Sequence, residues 1–175
     1  MRQEIEDYLN HFGSRPCSFF KRAYAIANAA HATDMRKNGV PYMTHVDEVI
    51  DGAWVIAHDL GLSDHSIDQI LSIAALHDVV EDHPEDYTLS SIRNMFVADG
   101  CFGTALENVI RGVDNITKKP KGEEPYHEYV QRVLSDRWSV ITKLSDLTHN
   151  MSDLEPGNML DKYQLTHWVL EQALR

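Results

Sequence analysis

An all-α fold is what this sequence predicts, on three observations. Apolar residues recur every three to four positions along most of the chain, turn-forming glycine, proline and asparagine fall between those stretches, and no segment alternates apolar and polar residues as a half-buried strand would. A length of 175 residues suits one hydrophobic core, so residues 1–175 are expected to form a single helical-bundle domain.

The first clear helix lies in 18–32, where Phe19, Phe20, Ala23, Tyr24, Ile26, Ala27 and Ala30 make one apolar face that runs out near His31. Arg36-Lys37-Asn38-Gly39-Val40-Pro41-Tyr42 then breaks the pattern with turn chemistry, which places the basic pair Arg36 and Lys37 on or beside a loop. Thr44 is the expected cap of the next helix. Residues 46–60 and 66–82 read as a helical hairpin around Gly61-Leu62-Ser63-Asp64, with Pro84 stopping the second arm. Shorter helices at 88–95 and 105–110 flank the turns at Asp99-Gly100 and Gly103. The charged stretch 117–125 is a loop, and helices at 129–134, 140–154 and 162–174 complete the set. The sequence contains no internal repeat and no low-complexity segment.

Hydrophobic residues at 43% and charged residues at 25% are the composition of an ordinary globular protein. The opening Met-Arg-Gln-Glu-Ile-Glu-Asp lacks the apolar core of a signal peptide, and no apolar run is long enough to span a bilayer, so a cytoplasmic protein without a membrane partner is expected. Cys17 and Cys101 form no close-spaced pair, which predicts ordinary thiols rather than a disulfide scaffold or a cysteine zinc site. A formal charge of −11 opposes nucleic-acid binding, which draws its affinity from basic residues on phosphates. A small phosphorylated ligand still fits such a chain if a bound cation and local basic residues reverse the field.

Three segments carry chemistry. In Leu76-His77-Asp78-Val79-Val80-Glu81-Asp82, at ~100° per residue, His77, Asp78, Glu81 and Asp82 fall within an arc of roughly 140°, so all four can face one cavity. The apolar run before them argues that His77 and Asp78 are enclosed, and enclosed carboxylates need a cation or hydrogen bonds. In Lys143-Leu144-Ser145-Asp146-Leu147-Thr148-His149-Asn150, residues Lys143, Asp146 and Asn150 share a helix face. The third segment, Arg36 to His45, ends in a histidine at a helix start. Each alone reads as well as a solvated helix face, or as a structural histidine.

Taken together and in this order, the segments resemble the hydrolase domain of the RelA/SpoT-homologue alarmone enzymes, within the HD superfamily. The resemblance runs over about residues 20–155 through Ala30-His31, Arg36-Lys37, Gly39, Pro41-Tyr42, His45, Leu76-His77-Asp78, Val80-Glu81-Asp82, Lys143-Leu144, Asp146 and His149-Asn150. It implies that His45, His77, Asp78 and Asp146 hold one divalent cation, manganese by family habit, with zinc or iron also compatible with the donor set. It implies that Glu81 and Asp82 are the catalytic acidic pair, and that Arg36, Lys37, Thr117 and Asn150 line a nucleotide pocket. Lys143, with the loop lysines 118, 119 and 121, can add positive field. His83 and His149 are the two residues able to change the count of one cation. The chain departs from the family pattern at Thr33-Asp34, where Gly-Gln is usual, at Val46 in place of proline, and at Trp138 in place of arginine.

The expected activity is hydrolysis of (p)ppGpp at its 3′-diphosphate, releasing pyrophosphate and GDP or GTP. Two other readings stay open: the same chemistry on another nucleotide, such as the ribose phosphate of NADPH, and a nucleotide-binding module without turnover.

Overall fold

Ile70-Leu71-Ser72-Ile73-Ala74-Ala75-Leu76 is nearly continuous in apolar residues, and a helix apolar on all sides belongs in the middle of its fold. The computed structural model describes residues 2–14 and 17–175 and places that segment at the centre. Ten helices occur among the described residues: α1 (Gln3–Gly13), α2 (Phe19–Ala30), α3 (Met43–Asp59), α4 (Asp64–Leu76), α5 (Val79–Asp82), α6 (Leu89–Ala98), α7 (Thr104–Ile116), α8 (Tyr126–Leu134), α9 (Arg137–Ser152) and α10 (Asn158–Leu174). No strand occurs among them, only an isolated bridge between Met35 and Pro41.

Helix α4 is buried from Ile67 to Leu76 and packs against α2, α3, α7 and α9. Its buried polar residue Asp68 accepts hydrogen bonds from the backbone N–H groups of Phe19 (3.4 Å) and Phe20 (3.0 Å), which are orphan donors at the start of α2. Ser18 takes a third such donor from Lys21. Small residues set two close crossings. Gly52 of α3 lies against Ser145 of α9, and Gly112 of α7 lies against Ile73 of α4; a Cβ at either glycine would meet its neighbour at under 2.5 Å.

The structure corrects several sequence expectations. The second arm of the hairpin does not run to Asp82: it ends at Leu76, turns through His77 and Asp78, and restarts as the single turn α5. The four polar residues therefore do not share one helical arc. Thr44 is inside α3, which starts at Met43, and α1 forms where no helix was expected. Cys17 and Cys101 are not separate thiols but a disulfide, with Cα atoms 5.5 Å apart, joining the entry of α2 to the loop after α6. They are 84 residues apart in sequence, so their pairing is a product of the tertiary fold that no local spacing announces. No helix among the described residues is long and apolar enough to cross a membrane.

Candidate metal centre

Three elements bring the ligand candidates together. His45 sits in the first turn of α3, His77 and Asp78 form the turn after α4, and Asp146 lies on α9. His45, His77 and Asp146 are buried to 3% exposure or less. His45 Nε2 and His77 Nε2 are 3.1 Å apart, and Asp146 Oδ1 is 3.3 Å from the first and 3.7 Å from the second. Asp78 Oδ2 is 2.9 Å from His77 Nε2 and 3.7 Å from His45 Nε2.

Tautomers follow from the remaining hydrogen bonds. His77 Nδ1 is 2.8 Å from the Ala74 carbonyl, one of the last carbonyls of α4, so this nitrogen must donate. In the neutral ring Nε2 is then a lone pair, aimed at a second imidazole nitrogen and two carboxylate oxygens. Such a point needs positive charge, supplied by a proton or a metal ion. Burial opposes charge on His77, but the Asp78 and Asp146 carboxylates outweigh it and push the imidazole up to about 9. On the far side of His45, its Nδ1 lies 2.7 Å from His149 Nδ1. Burial and neighbouring His45 lower His149, so it stays neutral and can accept from His45, leaving His45 Nε2 free as a ligand. His149 thus backs the cluster and does not enter it.

The carboxylates are held as anions. Asp146 accepts from Asn150 Nδ2 (2.6 Å) and from buried Lys143 Nζ, and despite burial the Lys143 charge holds its carboxyl far below the usual range. Asp78 accepts from the Tyr42 hydroxyl at 2.5 Å, and the His77 charge overrides burial to lower it likewise. Two imidazoles and two carboxylates form a donor set that suits a borderline divalent ion, and the residues present fit one.

The acidic pair divides. Glu81 accepts from both the backbone N–H and the Nζ of Lys118, each at 3.1 Å. Asp82 has no side-chain partner among the described residues, and partial burial with the Asp78 charge raises its carboxyl. Arg36, Lys37 and Asn150 line a cleft of about 510 Å³ together with Tyr42 and Tyr163. Arg36 reaches across it to Asp153 (3.0 Å) and Asn150 (3.4 Å). Thr117, whose hydroxyl donates to the Val113 carbonyl at 2.8 Å, and Lys143 lie outside that lining. Sequence reasoning gave no role to Tyr42 and gave Lys118 only a share in the positive field of the loop. Tyr42 stood within a matched motif, but nothing local pointed Lys118 at Glu81.

Fold and site define an all-α protein with a buried histidine–aspartate cluster able to hold a metal ion. No protein-family model matches the chain. Among curated proteins it is similar to the bifunctional (p)ppGpp synthase/hydrolase SpoT of Escherichia coli K12, 29% identical over 141 residues, which is 77% of this chain and 18% of that protein. It is 33% identical over 135 residues to the guanosine-3′,5′-bis(diphosphate) 3′-pyrophosphohydrolase of Haemophilus influenzae, covering 74% of this chain and 18% of the relative. It is 31% identical over 135 residues to a protein of Streptomyces coelicolor named GTP pyrophosphokinase, covering 75% of this chain and 14% of the relative. The chain is a homologue of the RelA/SpoT proteins. It spans less than a quarter of the length of these relatives.

Proposed function

We propose that this chain is a metal-dependent phosphohydrolase domain that cleaves guanosine 3′-diphosphate alarmones, (p)ppGpp, to pyrophosphate and GDP or GTP. The observation that carries the chemistry is the convergence of His45 Nε2, His77 Nε2 and the Asp146 carboxylate on one buried point, with Asp78 beside His77 and His77 held in the ligand tautomer by Ala74. The substrate rests on the names of the hydrolase relatives. His45, His77, Asp78 and Asp146 would hold the ion, with manganese the first candidate. When bound, a divalent cation supplies Lewis acidity that activates water at neutral pH and offsets phosphate charge.

The residues around it serve the proton and the substrate. Overall, a water oxygen bonds to the phosphorus next to the ribose, the bond from that phosphorus to O3′ breaks, and O3′ leaves as a hydroxyl. Asp82, unpartnered and with a raised carboxyl, suits the group that takes the proton lost by water. Glu81, pinned by Lys118, suits the orienting role. Arg36, Lys37 and Asn150 in the cleft would receive the nucleotide, with Lys143 and Lys118 adding positive field behind the carboxylates and Thr117 on the adjoining wall.

The test is pyrophosphate release from ppGpp with manganese, comparing the parent with Asp78→Ala and Glu81→Ala. An active parent, an Asp78→Ala chain lacking metal and turnover together, and a Glu81→Ala chain with metal but without turnover are expected. A metal-loaded parent that leaves ppGpp intact defeats the substrate assignment, and a nucleotide panel including NADPH then decides among other phosphate esters.

A further inference from the structure

A second set of donors converges outside the buried cluster. His31 caps the end of α2, Asp34 follows three residues on, and His83 caps α5. Asp34 Oδ2 is 2.8 Å from His31 Nδ1 and 2.8 Å from His83 Nε2, and the two nitrogens are 3.3 Å apart. Donor atoms about 2.1 Å from one cation, at octahedral to tetrahedral angles, stand roughly 3.0–3.4 Å from each other. The triangle is close to that size. We propose that His31, Asp34 and His83 form a second divalent-cation site, for an ion of the manganese-to-zinc series, beside the His45–His77 cluster.

The surroundings support a built site. The His31 side chain is fully buried, its ring stacked on Tyr42 with centroids 4.5 Å apart, and its Nε2 has no partner among the described residues. Nδ1 is therefore the atom through which this ring acts, and its direction is set. Both imidazoles address the same oxygen of Asp34, so the three contacts meet at one place. Two imidazoles and one carboxylate leave positions open for water or a phosphate oxygen. Tyr42 links the two sites, since its ring lies on His31 while its hydroxyl donates to Asp78. The competing arrangement has no ion: the Asp34 carboxylate accepts an N–H from each of two neutral imidazoles.

The experiment counts metal and needs no substrate, so its result stands apart from the alarmone assignment. The full chain, stripped with chelator, is dialysed against manganese or zinc, and bound metal per chain is measured by mass spectrometry. Parent, His83→Ala, Asp34→Ala and Asp146→Ala are compared, with circular dichroism melting to check folding. Two ions in the parent and one in each of His83→Ala and Asp34→Ala are expected, with Asp146→Ala keeping the ion that those two lose. One ion in the parent, unchanged by His83→Ala, overturns the proposal. So does a second ion that survives both His83→Ala and Asp34→Ala.

Discussion

Replacing Gly52 with alanine tests whether the α3–α9 crossing sets the geometry of the site. The added methyl would lie 2.3 Å from Ser145 Oγ and 3.2 Å from Ser145 Cβ. Non-bonded contacts settle near 3.5 Å, so Ser145 or the helices must yield by about 1 Å. Overpacking of this kind costs about 1–3 kcal/mol, against about 1 kcal/mol gained when alanine replaces glycine within a helix. The expected result is a net loss of up to about 2 kcal/mol, or several degrees at roughly 2–4 °C per kcal/mol for a chain of this size. Ser145 cannot simply rotate without cost, because its hydroxyl donates to the Val49 carbonyl at 2.8 Å. The assay is urea unfolding of the metal-free protein, with Ser145→Ala and the double variant completing a cycle. Removing the serine oxygen should recover much of the loss, giving a favourable coupling between the two substitutions. Gly52 is two helical turns beyond His45 and Ser145 adjoins Asp146, so metal affinity should fall with stability in Gly52→Ala. A Gly52→Ala chain more stable than the parent, as helix propensity alone requires, would refute the reasoning.

Other outcomes follow from the same geometry. In the metal-free chain, His77 titrates near 9 against an ordinary value of about 6.5, so its protonated form stabilises the fold fully below 6.5. That contribution is lost as pH rises through 9. Asp78 and Asp146 are held low, so their contribution is present above about 4 and lost on acidification. Urea midpoints should therefore fall between pH 6.5 and 9 without metal and hold with manganese present; a flat metal-free profile would count against the cluster as described. His149→Ala, which removes the group behind His45, should weaken metal binding about 10–100-fold in calorimetric titration while leaving that site's occupancy reachable at high metal. Reducing the Cys17–Cys101 bond opens a closure of 84 residues and should cost up to about 4 kcal/mol, read as a lower melting temperature with dithiothreitol.

The fold was legible wherever its causes are local. Helix α2 starts at its Ser18 cap and ends at His31 as the apolar face predicts, because capping and periodicity act within a few residues. Helix α1 carries Ile5, Tyr8, Leu9 and Phe12 at helical spacing, a pattern passed over when the N-terminus is read only for targeting. The break after Leu76 is different in kind. Neither glycine nor proline marks it, and the turn residue His77 satisfies a carbonyl of the helix it follows, which only the folded geometry reveals. The disulfide and the Lys118–Glu81 pair were hidden for the same reason, being contacts across 84 and 37 residues.

For the site, residue types and family pattern named residues that the structure brings together at His45, His77 and Asp146, but the division of labour depends on which atom of each side chain is free. His77 follows the apolar run Ile73-Ala74-Ala75-Leu76 and His149 the mixed stretch Ser145-Asp146-Leu147-Thr148, and neither context says which ring nitrogen is left free. His77 gives Nδ1 to a carbonyl and turns Nε2 to the shared point, whereas His149 turns Nδ1 to His45 and so serves as its support. His31 and His83 extend the argument, because each presents one nitrogen to a single oxygen of Asp34. A histidine becomes a ligand only when its other nitrogen is accounted for or put out of reach. That condition is met by a main-chain carbonyl at His77, by a second ring at His45 and by burial at His31, and none of the three has a signature in sequence.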